Sequence, residues 1–262
     1  MLSVSCLMVT KDRFDCFLRS FACYCRQDYP AKELVVAVHG AAQYARSITD
    51  CVEAAGRRDV RVLSCPAHLK LGELRNLALR EASGPLVCQW DDDDLYHPQR
   101  LSRHIEFLNA MNLQASFLTE QLQFFADTRQ LFWCNWSARG TDPRYYLIPN
   151  TLLAYKDAVP PYPSDAERLE DQAVRDAIFY SSGRVAGLGN CPYLTVYTYH
   201  GRNVYDRAHH MSLVVKRGLG VSAIRAHLPV LRRELHSHQP LGPYSICGMD
   251  GGAPRVVARI KG

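Results

Sequence analysis

Three observations predict an α/β fold in which a mostly parallel sheet is flanked by helices. Strand and helix patterns alternate through the first hundred residues, the second strand is apolar throughout, and the fourth runs directly into four consecutive aspartates. Leu2–Val9 reads as the first strand, and Phe14, Phe17, Leu18, Phe21 and Tyr24 follow at helical spacing. Leu34–Val38 is a continuous apolar run of the kind found inside a parallel sheet. A helix is expected over Gln43–Ala55 and a short strand over Val60–Leu63. A third helix carries Leu71, Leu74, Ala78 and Ala82 and ends at Gly84. Leu86–Trp90 is the fourth strand, and Asp91-Asp92-Asp93-Asp94 follows it without a break. Pro98 suits the first position of the next helix, which places Leu101, Ile105 and Leu108 on one face. Right-handed crossovers set the strand C-termini along a single edge, where ligands bind in such sheets.

The pattern changes after Asn112. Gln121–Ala126 and Gln130–Trp136 flank a turn and predict a hairpin. Ser164-x-x-Glu167 is a capping-box signal for a helix running to about Tyr180, and Tyr193–Tyr199 is rich in strand formers. From Met211 onward there are short helical patches and then Gly/Pro-rich sequence. The expected organisation is a body over 1–210, divided into halves 1–112 and 113–210, with a basic extension over 211–262.

The chain has 262 residues and a net charge of +5, and that charge is uneven. Residues 211–262 hold eight Lys and Arg against two acids, which leaves the preceding body close to neutral. No apolar run reaches the roughly 18–20 residues that a membrane-spanning helix needs, and no basic stretch precedes the first strand. The expectation is a cytoplasmic protein without a leader, its ten cysteines reduced. Cys23 and Cys25 lack redox or zinc spacing. His236-x-His238 has no third partner nearby, so a zinc site is not expected there.

Four adjacent carboxylates repel one another unless a cation lies among them. At the ligand-binding edge of a sheet, a hard divalent ion bridging substrate phosphates is the natural partner, and Mn²⁺ or Mg²⁺ suits oxygen ligands. An EF-hand is excluded, because Ser102 stands twelfth from Asp91.

At these residues the chain resembles family 2 glycosyltransferases of the GT-A fold. Val4–Arg13, Leu34–Gly40, Leu71–Ala82 and Leu86–Leu101 are similar to the N-terminal half of that family, and Asp91–Leu101 resembles its D-x-D-D segment. The resemblance implies a GT-A, Rossmann-like sheet with a mixed acceptor-side half. It implies that Asp91 and Asp92 contact the nucleotide sugar, that Asp93 holds the metal, and that Asp94 supports them. Thr10, at the end of the first strand, would cradle the base, with Lys11 and Arg13 beside it. Arg75 would face the nucleotide from the preceding helix. Glu170-Asp171 is similar to the family's Glu-Asp pair, in which the Asp is the general base of inverting members; Glu170 would share or support that role. His200, within His200-Gly201-Arg202-Asn203, would complete the metal shell, with Asn203 and His209 nearby.

Two departures stand out. Relatives carry Asp-Asp-Gly at the end of the second strand, where this chain has Val38-His39-Gly40, which opens the identity of the base. Thr10-Lys11-Asp12-Arg13 replaces the usual Thr-Tyr-Asn-Arg, which sets a lysine beside the phosphates. The function expected is metal-dependent, inverting transfer of a sugar from a nucleotide-sugar donor to a hydroxyl of a glycan or lipid-linked acceptor, in surface polysaccharide synthesis. Two other readings compete with it. One is a catalytically silent glycan- or partner-binding module on the same fold. The other is a sugar nucleotidyltransferase, disfavoured because Thr10–Asp15 contains no glycine for a phosphate loop. The basic segment 211–262 suits either ordinary solvated helices covering the body or contact with an anionic acceptor or an anionic membrane surface at its cytoplasmic face. Its sparse aromatics argue against nucleic acid.

Overall fold

The computed structural model describes residues 1–137, 142–238 and 241–261. The first half alternates as β1 (Val4–Lys11), α1 (Phe14–Cys25), β2 (Lys32–His39), α2 (Ala42–Ala54), β3 (Val60–Cys65), α3 (Leu71–Glu81) and β4 (Leu86–Gln89). There follow β5 (Leu95–Tyr96), α4 (Arg100–Ala110), β6 (Ala115–Leu118), β7 (Glu120–Phe125), β8 (Gln130–Asn135) and β9 (Leu153–Tyr155). The chain ends with α5 (Glu170–Ser182), β10 (Val185–Leu188), β11 (Thr195–Tyr199), α6 (Arg207–Arg217), α7 (Val221–Leu235), β12 (Tyr244–Asp250) and β13 (Ala253–Ile260).

These strands form two sheets. The larger has the order β10-β6-β9-β4-β1-β2-β3. All of its pairings are parallel except those of β9, which runs antiparallel to both β4 and β6. Its central strands are buried on both faces, as their unbroken apolar sequence requires. One face packs Phe17, Phe21 and Tyr24 of α1, Ile48 of α2, and Leu101 and Ile105 of α4. The other packs Leu74 and Ala78 of α3 with Val174 and Ile178 of α5. The smaller sheet has the order β13-β12-β8-β7-β11-β5.

Three expectations are corrected. The helix signalled by Ser164-x-x-Glu167 begins only at Glu170, because Leu169 adopts a left-handed conformation with φ 63° that helical propagation cannot accommodate. The preceding turn is instead held to α3, where the Gly72 amide donates to the Ala166 carbonyl at 3.1 Å. Residues 211–262 are not an appended extension: position 211 lies inside α6, and β12 pairs in parallel with β8, so this segment completes the second sheet. The Gly/Pro-rich stretch is a hairpin. Gly251 and Gly252, with φ 54° and 84°, form its tight turn between β12 and β13.

Candidate active site

The site lies at the C-terminal edge of β1, β2 and β4. The register pairs Thr10 with Val38 and Lys11 with His39, bringing the two strand ends together. The aspartates follow β4 across that edge, and each is met by a group from a different segment. Arg75, on α3, donates to Asp91 at 3.1 Å. Thr10 donates to Asp92 at 2.7 Å, and Arg13 bridges Asp92 and Asp93 at 2.6 and 2.7 Å. His200 and Asn203 lie 3.2 and 3.4 Å from the same Asp93 oxygen. Asp94 accepts from Asn150 at 3.2 Å and from the Thr198 amide at 3.1 Å.

Partners and burial separate the four acids electrostatically. Burial pushes Asp91 and Asp94 upward, Asp94 strongly, and raises Asp92 to about 7 with added repulsion from Asp93. Asp93 goes the other way. Burial opposes its ionisation, but the His200 hydrogen bond and the Arg13 charge outweigh it and hold its carboxyl below the ordinary value. Partial burial works against the charge on His200, yet the bond to Asp93 lifts its pKa to about 9. Asp93 is therefore the one acid of the run whose surroundings favour its charged form relative to an ordinary carboxyl.

The second half reaches this edge through α5. Arg75 donates through Nε to Glu170 at 2.8 Å and through Nη2 to Asp91, so a single buried guanidinium ties the first acid of the run to the start of α5. Glu170, expected to share the base role, is 4% exposed and committed to Arg75. Asp171 is partly exposed, and its carboxylate accepts from the Gln172 amide at 2.8 Å. Burial first, and then the neighbouring Glu170 charge, raise Asp171 to about 7. That is the range in which a carboxylate exchanges protons near neutrality.

Other expected residues take less direct positions. Asp92, expected among donor contacts, is 1% exposed and closes the strand end with Thr10 and Arg13. Thr10 is itself buried, its hydroxyl shared with Tyr44 at 2.6 Å. Lys11 is exposed at the end of β1. The Nε2 of His39 donates to the Ala67 carbonyl at 2.8 Å, which turns its ring along the strand edge. His209, expected near the metal, stacks on Tyr205 with ring centroids 4.1 Å apart. Tyr44 went unnoticed in the sequence, although its place in the first turn after β2 points to the site edge.

The donor set fits a hard divalent ion only as a partial shell. Asp93 Oδ2 and His200 Nε2 converge, but among the described residues no group of three His, Cys, Asp or Glu side chains is arranged to hold an ion. One carboxylate, with substrate phosphates and water supplying most of the shell, is an arrangement magnesium-type sites use, and His200 would have to give up its proton to join it.

The profile of glycosyl transferase family 2 matches residues 5–156, more than half of the chain. The chain belongs to this family. Among curated proteins no sequence match was found. Solved glycosyltransferases share the architecture. The structure of S. aureus TarS 1–349 aligns with a TM-score of 0.58 at 14% identity, covering 91% of this chain and 75% of that one. The same protein in complex with UDP-GlcNAc aligns at 0.58 and 13%, covering 91% and 76%. The mannosyltransferase PcManGT from Pyrobaculum calidifontis, in complex with GDP-Man and Mn²⁺, aligns at 0.55 and 15%, covering 92% and 71%. At such identity the likeness shows the fold, and that fold is GT-A. This family 2 member is thus a glycosyltransferase whose described residues include no helix long and apolar enough to cross a membrane.

Proposed function

We propose that the chain is a metal-dependent, inverting glycosyltransferase that moves a sugar from a nucleoside-diphosphate donor to a hydroxyl of a glycan or lipid-linked acceptor during surface polysaccharide synthesis, at the cytoplasmic face of the membrane. The observation that carries this reading is the Asp171–Glu170–Arg75–Asp91 chain of contacts. It couples a carboxylate poised near neutrality to the acid run at the strand edge. The complexes of the fold relatives with UDP-GlcNAc and GDP-Man lend the donor class.

In this reading the donor lies along the ends of β1, β2 and β4, with its base near Tyr44 and His39 and its phosphates toward Asp93. Asp171 takes the proton of the acceptor hydroxyl as the oxygen bonds to the anomeric carbon. The bond from that carbon to the phosphate oxygen breaks, and its electron pair leaves with the nucleoside diphosphate. Attack from the face opposite the leaving group inverts the anomeric configuration. Asp93 and His200 would hold the divalent ion, which supplies charge neutralisation to the departing diphosphate. Arg75, anchored by Glu170, keeps Asp91 oriented, and Arg13 does the same for Asp92.

The test is release of nucleoside diphosphate from UDP-GlcNAc and GDP-mannose with Mn²⁺, with Mg²⁺ and with EDTA, together with the thermal shift given by UDP and GDP. The reading expects ion-dependent release and a higher melting temperature with one nucleotide, because a ligand that binds only the native state stabilises it. Release that is indifferent to EDTA sinks the metal assignment. The absence of both release and thermal shift sinks the whole reading.

A further inference from the structure

Arg168 stands three residues before Asp171 in a position the transfer reading leaves without a task. Its side chain is exposed, and among the described residues it has no hydrogen-bond or ion-pair partner. Four acids are close in sequence, but among the described residues Asp165 and Glu167 make no ion pair with it, Arg75 occupies Glu170, and the Gln172 amide occupies part of Asp171. The Arg168 guanidinium instead lies over the Tyr205 ring, 5.4 Å from its centroid. A cation–π contact positions a guanidinium without using its N–H donors.

The platform beneath it is held firmly. Tyr205 stacks on His209, with an interplanar angle of 16°, and the His209 amide is capped by Asp206 at 2.9 Å. Tyr205 also senses the base: burial first, then the Asp171 charge, raises its hydroxyl above the ordinary value, so ring and carboxylate share one neighbourhood. Leu169 and Val204, the sequence neighbours of Arg168 and Tyr205, are 52% and 54% exposed and leave apolar surface at the solvent boundary. Two exposed aliphatic side chains and an unspent guanidinium, three residues from a proton acceptor, match a sugar that carries an anion.

We propose that Arg168, presented on Tyr205 beside Asp171, is the acceptor-specificity residue and binds a phosphate or carboxylate carried on the acceptor glycan close to the reacting hydroxyl. Leu169 and Val204 cover the apolar face of that sugar, and Tyr205 with His209 sets the reach of the cation. This rests on the transfer reading and names its acceptor class. The donor diphosphate is the other available anion, and the experiment separates the two sources.

The full chain is saturated with UDP or GDP, whichever raises the melting temperature more, and titrated calorimetrically with glucose 6-phosphate, glucuronic acid and methyl glucoside. The two anionic sugars are expected to bind at least about tenfold tighter than methyl glucoside, the scale of one charge-assisted contact. R168Q is expected to erase that preference, R168K to restore part of it, and Y205L to weaken all three sugars. Equal affinity for the three sugars, no sugar binding at all, or a preference that survives R168Q overturns the proposal. So does an R168Q variant that loses UDP or GDP affinity while keeping glucose 6-phosphate affinity, because the cation then serves the donor. If neither nucleotide shifts the melting temperature of the unaltered protein and neither donor releases its nucleoside diphosphate, the transfer reading itself has failed and takes this inference with it. An intact nucleotide shift with no anion preference refutes the acceptor claim alone.

Discussion

Asp171→Asn keeps the size and hydrogen-bonding outline of the side chain at the start of α5 while removing its capacity to take a proton. A positioned base contributes about 10²–10⁴-fold, or about 3–5 kcal/mol of transition-state stabilisation, and D171N is expected to lose an amount in that range. The pH profile makes the test sharper. The carboxyl of Asp171 sits at about 7, lifted by burial and then by Glu170, and it works as a base only when ionised. Activity of the unaltered enzyme therefore rises through neutrality, and about a tenth of it remains at pH 6 if one proton controls the rate. Removing the negative neighbour with E170Q lowers the Asp171 pKa, so the acid limb of kcat/KM moves to lower pH even as freeing Arg75 reduces the overall rate. A purely structural defect lowers the rate without displacing the limb. The assay is nucleoside diphosphate release from UDP-GlcNAc or GDP-mannose across pH 5–9. D171N retaining a third or more of wild-type activity, or an acid limb that does not move in E170Q, refutes the base assignment.

Asp93→Ala removes the one acid of the run held below its usual pKa; it is expected to abolish Mn²⁺-dependent release while the protein stays folded by circular dichroism. Gly72→Ala sets a Cβ against the Pro163 carbonyl oxygen, backbone that cannot swing aside, and is expected to cost about 1–3 kcal/mol, read as a lower midpoint in urea. Exposed Arg225, Arg232, Arg259 and Lys261, each contributing about 1 kcal/mol near an anionic surface, are expected to give salt-sensitive binding to phosphatidylserine vesicles. The double variant R225E/R232E should weaken that binding in co-sedimentation, and unchanged binding removes the membrane role.

Legibility followed the range of the interactions. Leu34–Val38 and Leu86–Trp90 were readable as buried strands because a strand covered on both faces has to be apolar throughout. The acid run was readable because its position after such a strand is a local property. The insertion of β9 between β4 and β6, antiparallel to both, depends on pairings across more than thirty residues and leaves no periodic trace. Arg75 and Glu170 are 95 residues apart, so their contact is a property of the fold and not of either motif. Near Ser164 the local signal was present and lost: Leu169 turns left-handed, and docking of the preceding turn on α3 overrides the capping box. The hairpin at Gly251-Gly252 had its signal in plain view, but Gly-rich composition reads as loop unless the strand formers on either side, Tyr244 and Ile246 before it and Val256 and Val257 after it, are read alongside it.

The fate of the four aspartates explains why such a run persists at a strand end. An isolated row of ionised carboxylates would destabilise the fold through mutual repulsion and desolvation. Here the cost is divided. Asp94 is fully buried and accepts from an amide and an asparagine, Asp92 is pushed to about 7 against Thr10 and Arg13, and Asp91 shares Arg75 with Glu170. Each partner arrives from a different segment, β1, α3, the turn before β9, or β11, so the acids act as the junction where both halves of the fold are fastened. Asp93 is left as the member held below its ordinary pKa, by Arg13 from the first half of the chain and His200 from the second. A cation or phosphate entering that contact would alter bonds that reach into both halves at once.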